Sequence, residues 1–449
     1  MWRLLRIVLP LLALTFFILK LDFFFFDSFD KPSPIWHQKC LNLLKRDGGN
    51  DEQDRTRRNR VILMFSTVFG DSDYASTIAK GTTNRENNDD DDGDEKGCNG
   101  DTICSSQCLV LPTQCSFFQD VVEQSHVLVF HAVRSDLAPA LRRYRKLKQA
   151  PILNAQLRVF FNLESPDTLA HSLRTELRNR RILNNFFHLA LTYQGDSSIQ
   201  VPPMRFDGIE QIAYSPEQHM ARRRFTSASN NKQRRHLAAV ISNCQSAFDR
   251  LAFLKQLAMY NVQVDIYGKC SPEQRQCPGR RGTDDSDCMQ YLSQRYTFVA
   301  AFENSICDGY YTEKVLLPLQ HWLIPVVIGG AQYESILPPG SFINARKFAS
   351  PQHLAQYLLK MANNEAKLES FFRWRNSFQL KFNTDNLALC QLCSHLSFSS
   401  STNTIVTDNH NDSFPIIATS TSSSKSSFVN LEDQWLWRPS QGSRACHQI

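Results

Sequence analysis

One stretch, residues 296–330, constrains the fold of this chain more than any other part of its sequence. It contains two short apolar runs, residues 298–302 and 323–328, which predict buried strands. A helix is predicted between them, with Thr312 as its N-cap. Polar side chains that follow a strand and precede a helix lie where an open α/β sheet binds its ligand. We therefore expect a binding site among residues 303–314.

The same alternation of apolar strands and amphipathic helices runs through both halves of the chain. Strands are predicted at residues 61–66, 126–131, 157–162 and 189–193, and again at 237–241 and 262–267. Strands that alternate with helices form parallel sheets with helices on both faces. A chain of 449 residues is long enough for two such units. We predict an α/β fold of two Rossmann-like domains, residues 61–220 and 237–395, that face each other across a cleft.

The N-terminus carries an apolar run, residues 7–19, which residues 23–26 extend. Small residues do not follow this run as they do in a cleaved signal peptide, so we predict a signal-anchor transmembrane helix within residues 1–30. A cleaved signal and an apolar helix on the membrane surface are the alternatives. Arg3 and Arg6 favour a cytosolic tail, which makes the chain a single-pass type II membrane protein with its remainder in the lumen.

The segments outside the two domains are polar or biased in composition. The composition of residues 31–60 predicts a flexible stem. Residues 396–449 form a Ser/Thr-rich tail, which we expect to be disordered over 397–427. Residues 71–108 predict an inserted loop, whose acidic cluster lacks the spaced ligands of a calcium site. Residues 221–236 predict an exposed basic linker. Because Phe225 is its one aromatic residue and the net charge is only +6, we expect no nucleic-acid partner.

The thirteen cysteines all lie beyond the predicted anchor, where disulfides are expected. Their odd number leaves at least one thiol free or paired between chains. Cys390 and Cys393 match half of a zinc site, but no second pair completes it. We expect each of them to form a disulfide, either with the other or with a cysteine of the N-terminal domain. Asn411 begins the one glycosylation sequon that we find.

A β-α-β unit opens the second half of the chain. Ser242 and Asn243 follow the predicted strand at 237–241 and stand where the next helix needs a cap. Arg250 comes two turns further along that predicted helix. Helix N-termini of this kind bind phosphate through their free backbone N–H groups. We therefore expect an anionic ligand at this turn.

Several longer motifs occur in a fixed order along the chain. They are FFNLESP at 160–166, LTYQGDSSIQVP at 191–202, ISN at 241–243, VDIYG at 264–268, FENSICDGYYTEK at 302–314, PVVIGG at 325–330, LPPGSFI at 337–343, FFRWR at 371–375 and the late CxxC. In this order they resemble the GDP-fucose-dependent α-1,3-fucosyltransferases, glycosyltransferase family ten. The likeness covers residues 61–395 apart from the inserted loop.

The resemblance implies an activity and a location. The activity is an inverting transfer of L-fucose from GDP-β-L-fucose to a GlcNAc hydroxyl of a glycan on a glycoprotein or glycolipid, with an α-1,3 linkage. The implied fold is of the GT-B type, with the acceptor on the N-terminal domain and GDP-fucose on the C-terminal one, in the Golgi lumen. Protein cations can neutralise the pyrophosphate, so we expect no essential metal and no cofactor besides the donor substrate.

The resemblance also implies roles for individual residues. Glu164 corresponds to the proposed base, which an inverting displacement needs to take the acceptor proton. Its alternative role is a helix-capping or ion-pairing carboxylate. The implied donor contacts are Asn243, Arg250, Asn304, Tyr310, Glu313 and Lys314, of which Arg250 and Lys314 correspond to pyrophosphate contacts. Glu303 and Tyr267 are possible additional contacts.

This chain departs from the family pattern at a few positions. Gly309 precedes Tyr310 where many members have Asp, and Gln194 and Ser198 stand where Arg and Asp are frequent. The pattern around His131 differs from that of the Lewis-type enzymes, so the acceptor glycan stays open. The alternatives to the leading hypothesis are a transferase of the same fold with another donor or acceptor, and an inactive membrane-anchored glycan-binding protein.

Overall fold

The computed structural model describes the two sheets and the segments that pack on them. The described residues are 34–46, 60–65, 108–111, 113–132, 137–147, 156–167, 186–208, 234–246, 248–278, 286–382, 385–399, 404–407, 410–415, 437–438, 443–444 and 446–447. The predicted anchor, most of the inserted loop and most of the basic linker lie outside them. In the described ranges, no helix is both long and apolar enough to cross a bilayer.

The first domain is built on a six-stranded parallel sheet in the order β2-β1-β3-β4-β5-β6. Its strands are β1 Arg60–Met64, β2 Cys108–Leu111, β3 Val127–His131, β4 Leu157–Asn162, β5 Leu189–Thr192 and β6 Ile199–Gln200. Side chains on successive residues alternate between two apolar layers, so the central strands are buried on both faces. The four strands that we predicted in this half are confirmed. Strand β2 was missed, because we placed Cys108 at the end of the inserted loop.

The second domain is built on a five-stranded parallel sheet in the order β13-β12-β10-β8-β9. Its strands are β8 Arg235–Val240, β9 Val264–Tyr267, β10 Tyr296–Phe302, β12 Ile324–Ile328 and β13 Ile343–Asn344. The two runs that bracket residues 296–330 are therefore adjacent strands, with Phe298 opposite Ile324 and Phe302 opposite Ile328. The carboxyl ends of β8, β10 and β12 lie at one edge of this sheet, where the predicted site residues follow.

Helices cover the sheets and short antiparallel strands join them. The helices are α1 Pro34–Arg46, α2 Gln119–Glu123, α3 Leu137–Leu147, α4 Arg250–Met259, α5 Ser286–Ser293, α6 Glu313–Gln320, α7 Tyr333–Ile336, α8 Pro351–Ala362, α9 Glu365–Ser370 and α10 Asp385–His395. The remaining strands are β7 Met204–Gly208, β11 Ile306–Cys307, β14 Phe378–Phe382, β15 Leu396–Ser399, β16 Thr404–Thr407, β17 His410–Pro415, β18 Trp437–Arg438, β19 Ser443–Arg444 and β20 Cys446–His447. β7 pairs with β14 and so ties the two halves of the chain together.

The last helix, α10, belongs to the first domain in space although we assigned residues up to 395 to the second. Its apolar residues Leu389 and Leu392 pack in the layer formed by β1, β3, β4 and β5. A disulfide joins Cys393 to Cys108 in β2. Of the two pairings that we left open for Cys393, the one with the N-terminal domain is correct.

The start of the predicted stem is not flexible. Residues 34–46 form helix α1, whose Leu41, Leu43 and Leu44 pack on the apolar layer of the first domain. Cys40 is fully buried and forms a disulfide with Cys115. The prediction overlooked the helical spacing of these apolar residues among the charges.

The predicted disordered tail and basic linker also contain ordered parts. β15, β16 and β17 form an antiparallel sheet within residues 396–415, and β20 returns to the second domain. At the end of the linker, Arg235 opens β8 and forms an ion pair with the buried carboxylate of Asp265. Arg234 donates to the Ser293 and Tyr296 carbonyls over 2.6 and 2.9 Å. These two arginines therefore attach the end of the predicted linker to the second domain.

His188 makes the stability of the first domain depend on pH. Its Nδ1 accepts the backbone N–H of Arg158 over 3.0 Å, and burial together with the Arg158 charge lowers the pKa of His188 from 6.5 to about 3. The unfolded chain binds a proton at this residue below about pH 6.5 and the folded chain does not, so the stability that His188 contributes is lost as the pH falls from about 6.5 to 3.

We predict that His188→Gln flattens the pH dependence of unfolding. Between pH 4 and 6, the free energy of unfolding of the wild type should fall by about 1.4 kcal/mol per pH unit more steeply than that of the variant. Urea unfolding at several pH values, with proton uptake measured in parallel, tests this. Equal slopes for the two proteins would contradict the buried neutral histidine.

Candidate active site

Glu164 lies just beyond the carboxyl end of β4, at the edge of the first sheet. The fully buried Asn162 ends that strand, and its Oδ1 accepts the Glu164 backbone N–H over 2.6 Å. This short turn leads the chain out of the sheet and leaves the Glu164 side chain partly exposed. Glu164 is therefore presented at the cleft by a rigid strand end.

A hydrogen bond joins Glu164 to the loop of the second domain. The Tyr310 hydroxyl donates to Glu164 Oε2 over 3.1 Å. Beside it, Ser165 Oγ donates to Ser305 Oγ over 3.0 Å. Tyr310 also packs on Tyr193 of the first domain, with ring centroids 5.2 Å apart. Residues 146 positions apart in sequence thus meet at one place between the two sheets.

Tyr310 itself is a neutral hydrogen-bond donor. Its side chain is 1% exposed. Burial, and then the nearby carboxylates of Glu164, Glu303 and Glu313, raise the pKa of Tyr310 well above 10.0. A phenol that keeps its proton orients the Glu164 carboxylate through Oε2 and leaves Oε1 for another donor.

Glu303 holds the start of helix α6 in place. It is 1% exposed, and its Oε1 accepts the Thr312 backbone N–H over 2.8 Å and the Thr312 hydroxyl over 2.9 Å. Its Oε2 lies 3.2 Å from the Lys314 ammonium. Burial raises the pKa of Glu303, while Lys314 opposes that shift. Because both of its oxygens are engaged within the protein, Glu303 positions the start of α6, and its role as an additional ligand contact stays a prediction.

Lys314 supplies a positive charge at the same edge. Thr312 is the N-cap of α6, as predicted, and its side-chain oxygen accepts from the Lys314 backbone N–H. The Lys314 ammonium lies 3.3 Å from Glu313 Oε1, and Glu313 is the more exposed of the two side chains. Burial acts to lower the pKa of Lys314, but the carboxylates of Glu303 and Glu313 outweigh it and raise that pKa. The ammonium is therefore charged at neutral pH.

Arg250 enters the site from the first residue of α4. The prediction that Ser242 and Asn243 cap this helix was wrong, because Asp249 is the N-cap and accepts the Ala252 N–H over 2.9 Å. The loop after β8 is extended, which brings the Asn243 carbonyl within 2.6 Å of Arg250 Nη2. Asn243 itself is exposed.

The guanidinium of Arg250 is buried and sits within reach of the other site residues. Its Nη1 donates to the Phe302 carbonyl over 3.3 Å, and the residue is 4% exposed. Burial lowers the pKa of Arg250, while Glu303 and Tyr310 raise it. Arg250 is thus a cation next to the end of β10.

Arg250 Nε and Asn304 Oδ1 are two of the buried polar atoms at this edge that have no hydrogen-bond partner within the described part of the chain. Buried polar atoms are rarely left unpaired, since each costs free energy of desolvation. Arg250 Nε is a donor and Asn304 Oδ1 is an acceptor, so together they fit a ligand that carries both an acceptor and a donor. The charge of Lys314 suits a ligand with an anionic group.

Six residues of the sequence-predicted set are brought together, while Asn243 contributes its backbone carbonyl to Arg250 and has an exposed side chain. Glu164, Arg250, Asn304, Tyr310, Glu313 and Lys314 converge on the carboxyl ends of β4, β8 and β10. The Tyr267 hydroxyl instead hydrogen-bonds to Tyr296 over 2.8 Å, and Tyr296 in turn donates to Asp265 over 2.7 Å. Tyr267 therefore closes a buried network on β9 and β10.

Sequence reasoning missed residues that shape the site without a motif of their own. Tyr193 packs on Tyr310, and Gly309 has a φ of 73°; a Cβ added to Gly309 would lie 3.9 Å from the Tyr193 ring. The sequence did contain a signal for this turn. Gly309 departs from the family pattern, and glycine adopts this left-handed conformation without strain. A Cβ on Gly330 would overlap the Cys307 backbone, so the loop crosses directly over the end of β12.

Among the described residues, one group of side chains has the composition of a metal site, and it does not act as one. Asp167, Cys307 and Cys446 place ligand atoms within 4.8 Å of one another. The two sulfurs are joined in a disulfide, so neither is a thiolate that could bind a metal ion.

Two family models match the chain. The model described as "Fucosyltransferase, N-terminal" matches residues 57–203, and "Glycosyltransferase family 10 (fucosyltransferase) C-term" matches residues 230–411. Together they cover most of the chain, and each contains one of the two sheets. Their boundary falls in the basic segment that we predicted to separate the domains.

Curated relatives agree with the models. Alpha-(1,3)-fucosyltransferase C of Drosophila melanogaster is 29% identical over 374 residues, which are 81% of this chain and 79% of that protein. The 3-galactosyl-N-acetylglucosaminide 4-alpha-L-fucosyltransferase FUT3 of Homo sapiens is 31% identical over 252 residues, or 55% of this chain and 62% of its own length. The match thus spans about three-fifths of the human relative.

A solved structure of an alpha1,3-fucosyltransferase aligns with 74% of this chain and 88% of its own, at 16% identity and a TM-score of 0.43. A similarity this weak supports no conclusion about this chain. The assignment rests on the two family models and on the relatives. The chain belongs to glycosyltransferase family 10, the fucosyltransferases.

Proposed function

We propose that this enzyme transfers L-fucose from GDP-β-L-fucose to a GlcNAc hydroxyl of a glycan, with inversion and an α-1,3 linkage. The observation that carries the proposal is the hydrogen bond from Tyr310 to Glu164, which joins a carboxylate of one domain to the loop of the other. The relatives, an alpha-(1,3)-fucosyltransferase and a 4-alpha-L-fucosyltransferase, support the reaction class and leave two linkages between which a test must decide.

The residues of the second domain suit a nucleotide sugar. Arg250 Nε can donate to a phosphate oxygen and Asn304 Oδ1 can accept from a hydroxyl, which would satisfy both unpaired atoms. Lys314 adds a fixed positive charge where the pyrophosphate gains negative charge as the bond to fucose breaks. Glu313, exposed beside it, can accept from the ribose hydroxyls.

Glu164 suits the role of the general base. In the transfer, the acceptor oxygen forms a bond to C1 of fucose while the bond from C1 to the β-phosphate oxygen breaks. The acceptor proton moves to Glu164, and GDP leaves with the electron pair. The bond from Tyr310 fixes the direction of the carboxylate, so its other oxygen can face the acceptor hydroxyl.

The cellular setting is part of the proposal. Five disulfides among the described cysteines fit an oxidising compartment. The apolar N-terminal run and the family support a Golgi enzyme held by a single type II anchor, with the catalytic domains in the lumen. The acceptor is then a glycan on a glycoprotein or glycolipid that passes through that lumen.

We predict that the purified full-length chain transfers fucose from radiolabelled GDP-fucose to at least one GlcNAc-containing glycan, and that Glu164→Gln abolishes the transfer. The loss should be about 10²-fold or more in kcat, because the amide cannot accept the proton, while the affinity for GDP-fucose stays near the wild-type value. Product linkage analysis separates α-1,3 from α-1,4 transfer.

The matched control is Glu365→Gln, the same change at an exposed position in α9. It should leave kcat unchanged. An active Glu164→Gln variant would show that the base has been misassigned. A wild-type chain that binds GDP-fucose but transfers nothing to any glycan would favour the inactive binding protein.

A separate prediction concerns Lys314→Ala. Loss of a charge-assisted contact to the pyrophosphate should raise KM for GDP-fucose by about 10- to 100-fold. Steady-state kinetics with varied donor measures this, and Lys360→Ala, on the exposed face of α8, is the control. An unaltered donor KM would contradict the phosphate role of Lys314.

The reaction should not need a metal ion. Arg250 and Lys314 supply positive charge at the expected pyrophosphate position, so EDTA should leave most of the transferase activity intact. Activity measured after dialysis against EDTA, with and without added Mn²⁺ or Mg²⁺, tests this. Complete loss that either metal restores would contradict a metal-free site.

A further inference from the structure

The end of the chain returns to the loop that carries the site residues. β20 pairs antiparallel with β11, with His447 opposite Ile306 and Cys446 opposite Cys307. The same two cysteines form a disulfide between positions 139 residues apart in sequence. We call β20 and this disulfide the C-terminal clasp.

The clasp is attached to the middle of the loop between Glu303 and Thr312. β11 lies between Asn304 and Tyr310, and its residues Ile306 and Cys307 are fully buried. The Tyr310 N–H donates to the Cys307 carbonyl over 3.0 Å. A displacement of Cys307 would therefore move Tyr310 directly.

The clasp also contacts the first domain. A carboxylate oxygen of Asp167, three residues after Glu164, lies within 4.8 Å of both sulfurs of the disulfide. Cys446 packs against the apolar layer of the first sheet, which also contains Tyr193 and Tyr310. The clasp thus sits where the Glu164 turn and the donor loop meet.

A two-residue strand pair does not hold itself in place, because isolated short strands are marginal in water. The disulfide supplies the missing constraint by keeping β20 on β11. Two hydrogen bonds fix the rest of the loop backbone. The Thr312 N–H donates to the Glu303 carboxylate, and the Gly309 N–H donates to the Gly330 carbonyl over 3.3 Å.

We propose that the C-terminal clasp is a positioning part of the transfer site, which holds Tyr310 against Glu164. This inference rests on the proposed function. Cys307, Cys446 and His447 touch neither donor nor acceptor in this account, and they act through the loop. The end of the segment that we predicted to be a Ser/Thr-rich tail thereby becomes necessary for efficient transfer.

The pairing itself is tested first, on the intact full-length protein. Proteolysis without reduction, followed by mass spectrometry, should give one peptide with Cys307 linked to one with Cys446. Either cysteine found free or paired elsewhere would overturn the proposal, whatever the activity.

The positioning role is tested by Cys307→Ala/Cys446→Ala, with Cys277→Ala/Cys288→Ala as the matched control, since that pair forms a disulfide in the same domain. Misplacement of the loop should lower kcat/KM by about tenfold or more, whereas the control stays near wild type. In a Tyr310→Phe background the clasp substitutions should cost less than about threefold, because the two changes disrupt one contact and are not additive. An unchanged kcat/KM, or a full effect in the Tyr310→Phe background, would overturn the proposal.

Two measurements keep this test independent of folding and of the proposed function. Thermal unfolding sets the assay temperature below the transition of every variant. If the double variant does not fold, His447→Pro keeps the disulfide and removes a backbone N–H from β20, and the same loss is expected. If the wild type transfers no fucose, the proposed function fails. The inference is then decided by the peptide map and by the affinity for GDP, which we expect to be weaker in the clasp variant than in the wild type.

Discussion

The buried carboxylate of Glu303 is the constraint on which the rest of the site depends. It directly follows β10, accepts hydrogen bonds from the N–H and hydroxyl of Thr312, and pairs with Lys314, so one side chain joins a strand end to the start of the next helix. The eight residues between Glu303 and Thr312 are forced into a tight loop over Gly330, where the absence of a side chain leaves room for the Cys307 backbone. Every group of the donor side is on this loop, next to it in α6, or packed beneath it in α4.

The second constraint is that this loop must meet the other domain. Glu164 and Tyr310 come from different sheets, and the bond between them has a defined geometry only if the domains hold a fixed relation. Three features supply it: the β7–β14 pairing, the Cys108–Cys393 disulfide and the packing of α10 on the first sheet. Helix α10 thus returns to the first domain after the second sheet is complete. Its packing there helps to fix the two halves of the site relative to each other.

Much of the fold followed from local pattern, because buried parallel strands are continuous apolar runs. The strands that frame residues 296–330 and the Thr312 cap were predicted for that reason. What the sequence does not reveal is pairing over long distance. Nothing local in Cys446 indicates Cys307 as its partner, and nothing in the stem residues around Cys40 indicates Cys115.

The candidate site shows the same division. Glu164, Asn304 and Lys314 were found because their motifs resemble a family, and the geometry then distinguished their roles from those of Glu303 and Tyr267. The cap of α4 was misassigned because Asn243 and Asp249 are both good capping residues and only the tertiary fold decides between them.

A structure of the full-length protein with GDP-fucose bound tests the central claim most directly. We expect the donor to lie at the carboxyl ends of β8 and β10, hydrogen-bonded to Arg250 Nε and Asn304 Oδ1, with its pyrophosphate near Lys314 and C1 of fucose facing Glu164. A donor bound elsewhere, with those two atoms still unpaired and Glu164 remote from fucose, would contradict it.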